Sequence, residues 1–234
     1  MSLSNYKEIV VAVILCMGVL ICKPLQAQSL RGSLHGAFVY VPQDPLYFEE
    51  GAIVTGSIEN FFNQHLSFGI NARFGGVAYR DDYTTVVNNV PQEETELDVS
   101  NFVWSVSFFP RFSFLSTDEL ILSVVPEVGV YQVLSRPTIY FTELSNGEVR
   151  SKTYDSGRAA STGLGLSLQG EYFLKERLSL VFGAGWKNYD LSLAMKALEL
   201  GGDFPKSLKI SETDFLNVEI GISYQIYGSE KRFN

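Results

Sequence analysis

From Phe215 to Tyr227 the chain alternates without a break. Leu216, Val218, Ile220, Ile222, Tyr224 and Ile226 point one way; Asn217, Glu219, Gly221, Ser223 and Gln225 point the other. Strand side chains alternate faces with period two, so this segment has one apolar and one polar face. Six further stretches share the pattern, and a weaker one precedes them all. The pattern predicts strands at about 30–41, 52–62, 66–79, 99–114, 119–133, 160–173, 178–189 and 214–227.

The connectors carry the next constraint. Three are short: Asn63-Gln64-His65, Leu115-Ser116-Thr117-Asp118 and Leu174-Lys175-Glu176-Arg177. Four are long, about 42–51, 80–98, 134–159 and 190–213, and long strictly alternates with short. In an up-and-down barrel this gathers the long loops at one rim and the short turns at the other. Outer-membrane barrels are built this way, with short periplasmic turns and longer extracellular loops. A soluble antiparallel barrel has no reason to sort its loops by length.

Volume separates the same two architectures. An eight-stranded barrel has an interior just wide enough for side chains to fill it. One strand face carries Phe68, Ile70, Phe74, Phe102, Trp104, Phe108, Leu164, Leu166, Leu168, Phe182 and Trp186; the other carries Ser67, Gly69, Asn71, Ser105, Ser107, Gly163, Gly165, Ser167, Gly183 and Gly185. The small set fits inside and the bulky set does not. The apolar face therefore points outward, and an apolar exterior all round needs lipid. The expected fold is all-β: an eight-stranded antiparallel up-and-down transmembrane β-barrel with four long extracellular loops and three short periplasmic turns.

The beginning of the chain fits export. Lys7 precedes the apolar run Ile9–Cys22, which leads to Pro24 and Leu25-Gln26-Ala27. A basic start, a short apolar core and a small residue at the cut describe a secretory signal peptide. The 14-residue run falls short of the ~20 residues of a spanning helix. Residues 1–27 are thus read as a signal peptide and 28–234 as the barrel. A lipoprotein anchor on Cys16 or Cys22 would want a small residue where Leu15 or Ile21 stands. Both cysteines lie in this leader, which leaves disulfides and thiolate chemistry out of the barrel. Losing Lys7, Lys23 and Glu8 takes the formal charge from −8 to −9, which argues against nucleic acid as a partner.

Following the small-residue face gives the inward charges. Arg31, Arg73, Arg111 and Lys187 stand against Glu59, Glu127, Glu171 and Glu219, with His35, Asn71, Gln169, Asn217 and Gln225 on the same face. Buried charges are tolerated when paired and hydrogen-bonded. A matched set points to a salt-bridged plug; the alternative is a narrow conduit in which some pairs exchange partners. Aromatic residues bracket the strands. Phe61, Phe62, Phe112, Phe114, Tyr172, Phe173, Tyr224 and Tyr227 lie near the short turns. Tyr40, Tyr79, Phe102, Trp104, Tyr131, Trp186, Tyr189 and Phe215 lie toward the long loops. Two such girdles are expected at two interfaces. Pro110 and Pro126 remove ladder hydrogen bonds and predict a bulge or local weakening.

Signals of catalysis are sparse. Ser33 and His35 share a face, but no acid accompanies them in sequence, and nucleophilic catalysis needs a complete Ser–His–acid relay. His35 is the one position on which a lipid-modifying activity could rest. No Cys/His metal spacing occurs, and the Gly-x-Gly pieces lack a phosphate-binding context. The expected protein is non-enzymatic, with no catalytic, cofactor-binding or metal-binding residues and no cofactor.

On these residues the chain resembles the OmpX/OmpA-type eight-stranded outer-membrane barrels. It is similar in particular to the Bacteroidota "outer membrane protein beta-barrel" (PorT-like) group. The resemblance covers about 28–234 and rests on the Leu25-Gln26-Ala27-Gln28 boundary, the alternation, the loop asymmetry and the closing strand Val218-Glu-Ile-Gly-Ile-Ser-Tyr. It implies an outer-membrane location and insertion by the machinery that reads the last strand. Such proteins usually end on an aromatic residue; here Gly228-Ser-Glu-Lys-Arg-Phe-Asn follows Tyr227, so Phe233 or an internal signal would serve. No peptidoglycan-binding domain is expected after the barrel.

The long loops hold most of the acidic excess. Asp81, Asp82, Glu93, Glu94 and Glu96 cluster in the second, whereas the third carries Arg150 and Lys152. The plain reading is solvation beside anionic lipopolysaccharide. The sharper one is a contact site, because function concentrates on loops held by a rigid scaffold. The partners expected are outer-membrane lipid and lipopolysaccharide, the barrel-insertion machinery, and a surface or membrane protein of unknown identity. The chain is thus read as a structural or interaction protein with an essentially closed lumen. The alternatives are a narrow transport conduit for small solutes and a lipid-modifying enzyme.

Overall fold

Strands with one apolar and one polar face bury the polar one only by closing on themselves, and this sheet closes. A computed structural model of the chain describes residues 29–41, 49–87, 90–154, 157–189, 194 and 214–228. The strands are β1 (Ser29–Val41), β2 (Glu49–Phe61), β3 (Leu66–Val87), β4 (Val90–Ser116), β5 (Leu120–Glu143), β6 (Val149–Thr153), β7 (Gly157–Phe173), β8 (Leu178–Asn188) and β9 (Asp214–Gly228). Eight of them form an antiparallel ring in the order β1-β2-β3-β4-β5-β7-β8-β9, sealed by the β1–β9 pairing. β6 stands outside the ring, paired to the far end of β5.

One parity runs through the whole wall. Apart from Gly170, which has no side chain to direct, the buried residues of the ring strands are odd-numbered. Arg31, His35, Glu59, Arg73, Ser107, Glu127, Glu171, Lys187 and Glu219 are examples. Even-numbered residues such as Leu34, Phe74, Trp104, Leu166, Val218 and Ile220 are exposed. A polar interior inside an apolar exterior is the arrangement of a barrel that faces lipid.

Two of the expected long loops are largely strand. β3 and β4 continue their ladder from Arg80↔Asp98 to Val87↔Val90. β5 runs on to Glu143 against both β4 and β6. The segments Tyr83-Thr-Thr-Val-Val and Thr138-Ile-Tyr-Phe-Thr are rich in β-branched and aromatic residues, which suit a pleated surface; cross-strand pairing overrides their acidic neighbours. The loop candidates Asp81, Asp82, Glu93, Glu94 and Glu96 therefore sit on β3 and β4, and Arg150 and Lys152 on β6. The expected leader, most of the first and fourth long loops, and the tail after Gly228 lie outside the described residues.

The two prolines leave the expected mark. The β4–β5 ladder pairs Phe108 with Val128 and Phe112 with Val124, with no pairing between. The register is the same on both sides of this gap, so Pro110 and Pro126 fall opposite one another. The ladder's register shift comes further on, between Ser113 and Leu115.

The aromatic girdles need correction. Phe61 (1% exposed), Phe215 (0%), Tyr131 (3%) and Tyr189 (3%) are inside the barrel. Their odd numbers put them on the inward face, a distinction that proximity to a strand end does not make. Tyr40, Phe102, Trp104, Phe112, Phe114, Tyr172, Trp186, Tyr224 and Tyr227 do face outward.

Candidate functional site

All eight charged residues expected inside are buried, and seven of them form two tiers. Nearer the short turns, Arg111 is the hub. Its Nε lies 2.9 Å from Glu59 Oε1, its Nη1 lies 3.2 Å from Glu171 Oε2, and its Nη2 donates to Gln169 Oε1 at 2.9 Å. Arg31 Nη1 donates to the same Glu171 oxygen at 2.8 Å. Ser67 and Ser179 hydroxyls donate to Glu59 and Glu171. Phe61 packs beneath, its ring centroid 4.3 Å from the Arg31 guanidinium and 5.8 Å from that of Arg111. A guanidinium over a ring face within about 6 Å gains from the ring quadrupole.

Toward the other rim, Glu127 is the hub. It receives Arg73 in a two-point contact, Nη2 to Oε2 at 2.6 Å and Nη1 to Oε1 at 3.1 Å, and Lys187 Nζ at 2.6 Å. Arg73 Nη1 also donates to Ser107 Oγ at 2.9 Å. Room for this hub comes from Gly165 across the β5–β7 ladder: a Cβ there would lie 2.6 Å from Glu127 Cγ. Charge-assisted, two-point Arg–carboxylate contacts are among the stronger and more directional hydrogen bonds.

The partners are not those that adjacency in sequence suggests. Arg111 and Glu127 sit on neighbouring strands, yet each belongs to a different tier. Three carboxylates take up the four cations. Glu219 stands apart, accepting from Gln169 Nε2 at 2.6 Å and lying 3.9 Å from His35 Nδ1. Sequence reasoning overlooked Phe61, Ser179 and Tyr189 as lumen members; their odd numbers were the available signal.

A third layer lies over the Glu127 tier. Ala37, Val39, Ile53, Val77, Val103, Tyr131, Val133, Tyr189 and Phe215 form one buried apolar cluster. Tyr131 and Tyr189 stack at 4.6 Å, and Tyr189 meets Phe215 edge-on at 5.1 Å. Tyr189 joins the layers, since its hydroxyl donates to Ser105 Oγ at 3.3 Å.

His35 is assembled for no hydrolytic relay. The Ser33 hydroxyl pairs with that of Ser57, and His35 is 4% exposed. Among the described residues neither of its ring nitrogens has a hydrogen-bond partner, and the same holds for Thr55 Oγ1 and Asn217 Oδ1.

At the far end of β3–β6 several of the expected contact residues already meet side chains of the same sheet. Arg80 Nε lies 2.8 Å from Glu96 Oε1 and its Nη2 lies 3.9 Å from Asp98. Arg150 Nη2 lies 3.5 Å from Glu93 Oε2. The backbones of Asp81 and Asp82 pair with Leu97 and Glu96, and Lys152 Nζ lies 4.9 Å from the centroid of the Tyr154 ring.

No family model matches the chain, and no curated protein matches it in sequence. Solved structures of similar shape exist at low identity. A major outer membrane protein from Thermus thermophilus is 16% identical, covering 85% of this chain and 100% of its own, with a TM-score of 0.49. Ail, the attachment invasion locus protein of Yersinia pestis, is 13% identical over 85% of this chain and 99% of its own, with a TM-score of 0.41. Neisserial surface protein A is 12% identical over 84% and 97%, with a TM-score of 0.38. Likenesses at this level assign no function.

Proposed function

We propose that the chain is a non-enzymatic outer-membrane barrel of the OmpX/OmpA type, with a closed lumen and a working surface on its long extracellular hairpins. Its apolar belt would face outer-membrane lipid, and its acidic rim would stand beside lipopolysaccharide. The finer likeness, to the PorT-like group, rests on the export boundary and the closing strand. The observation that carries the closed-lumen reading is the stacking of two paired charge tiers under a continuous apolar layer. An ion would have to break contacts in all three.

A second reading, a narrow conduit, draws on the unpartnered atoms of His35, Thr55 and Asn217. Buried polar atoms without protein partners are where internal water enters. Planar-bilayer recording of the folded protein separates the two. The closed reading expects no discrete conductance in wild type and leakage when Glu127 or Arg111 is replaced by Ala. Steady channel steps in wild type would favour the conduit.

A further inference from the structure

β6 ends the described sheet with an unpaired edge. Two hydrogen bonds set its phase: Tyr154 N–H donates to the Pro137 carbonyl at 3.0 Å, and Glu143 N–H donates to the Glu148 carbonyl at 2.9 Å. Antiparallel ladders alternate residues that bond to the neighbouring strand with residues that do not. Even-numbered residues of β6 thus turn their N–H and C=O groups to β5, and Val149, Ser151 and Thr153 turn theirs away. All five residues of β6 are exposed. Such an edge is a template for another strand.

Side chains say which strand. Arg150 lies opposite Phe141 and Lys152 opposite Ile139 on β5, so both cations project on one face, two residues apart. Val149, Ser151 and Thr153 project on the other. Arg150 has only an exposed contact with Glu93 to share. A second copy paired about Ser151 would bring Arg150 and Lys152 against each other, and like charges directly opposite are destabilising. An acidic strand meets the same two cations favourably.

We propose that β6 takes up an extended acidic segment by strand addition, with carboxylates at alternate positions beside Arg150 and Lys152 and small or β-branched residues on the opposite face. This deepens the surface reading above and rests on it. Main-chain bonds to Val149, Ser151 and Thr153 would supply affinity, and the two cations would supply selectivity.

The test uses the folded full chain in phospholipid nanodiscs and three blocked peptides. One alternates aspartate with valine, one has the same composition with its aspartates contiguous, and one alternates lysine with valine. The first should bind and slow hydrogen exchange at the amides of Val149, Ser151 and Thr153; the other two should bind at least tenfold more weakly. Ser151→Pro removes an outward N–H and leaves the bonds to β5 intact. It should weaken the first peptide at least tenfold, whereas Ser151→Ala should not. Arg150→Glu with Lys152→Glu should reverse the preference toward the lysine peptide. Equal binding of the two aspartate peptides, undiminished binding to Ser151→Pro, or no binding of the first peptide overturns strand addition. Cell-surface labelling at Ser151→Cys reads the surface assignment separately: labelling without peptide binding sinks only this inference, and absence of labelling sinks the surface reading itself.

Discussion

Pro110 and Pro126 face each other across the β4–β5 seam, at the centre of the one interruption in that ladder between Phe108↔Val128 and Phe112↔Val124. Neither has an N–H to give, so the two strands lose ladder donors at the same level. A lone proline would leave its partner strand a donor; this pair leaves none.

Replacing both prolines by valine should therefore strengthen the barrel. Each restored ladder bond contributes about 0.5–1.5 kcal/mol. The double variant should unfold at higher urea than wild type, and the amides of Phe109 and Arg111 should exchange more slowly. A lower urea midpoint with unchanged exchange would mean that the seam's packing, not its missing donors, sets the stability there.

The Glu127 hub makes an asymmetric prediction. Glu127→Ala leaves Arg73 and Lys187 buried together with no anion between them, and breaking a buried pair costs about 3–5 kcal/mol. Ser107→Ala removes one neutral acceptor from Arg73 and should cost about 1 kcal/mol. Adding Lys187→Met to Glu127→Ala should recover part of the loss, because one stranded charge disappears. Urea titration in lipid checks the order. If Glu127→Ala and Ser107→Ala cost the same, the tier is not held together by its charges.

Period two made much of this fold legible. It placed β8 and β9 almost to the residue, and it named every charged member of both tiers, because a barrel wall admits only two side-chain directions. It could not name the partners. Which cation reaches which carboxylate depends on strand tilt and stagger around the ring, and those brought Arg111 to Glu59 and Glu171 instead of to Glu127 on the next strand. The β3–β4 and β5–β6 extensions were obscured for another reason: Asp81, Asp82, Glu93, Glu94 and Glu96 read as loop by composition, while pairing with the facing strand decided the outcome. Phe61 and Phe215 were misplaced when strand-end position was allowed to outweigh parity.

Glycines on the two faces should respond oppositely. A Cβ at Gly129 would lie 2.6 Å from both Cα and Cβ of Ser107, whereas one at Gly36 meets nothing within 4 Å. Gly129→Ala should force β4 and β5 apart at a cost of about 1–3 kcal/mol, and Gly36→Ala should fall within about 0.5 kcal/mol of wild type. The fraction of protein that shifts mobility on unheated gels gives the comparison. Equal yields of folded barrel from the two variants would contradict the inward and outward assignment of these positions.

Orientation in the membrane gives the last prediction. β6 is carried by the far end of β5, at the rim of the long connectors, whereas Lys175 sits in the short turn after β7. Both Ser151 on β6 and Lys175 are exposed. Outer-membrane barrels send long hairpins outward and short turns to the periplasm. Ser151→Cys should react with an impermeant maleimide on intact cells, and Lys175→Cys should react only after the envelope is opened. The chain's two cysteines, Cys16 and Cys22, fall in the expected leader, so a cleaved barrel offers the reagent a single thiol. Labelling at Lys175→Cys alone would invert the topology. An apolar exterior of this extent needs lipid, so equal labelling of both variants in a soluble periplasmic fraction would overturn the membrane assignment itself.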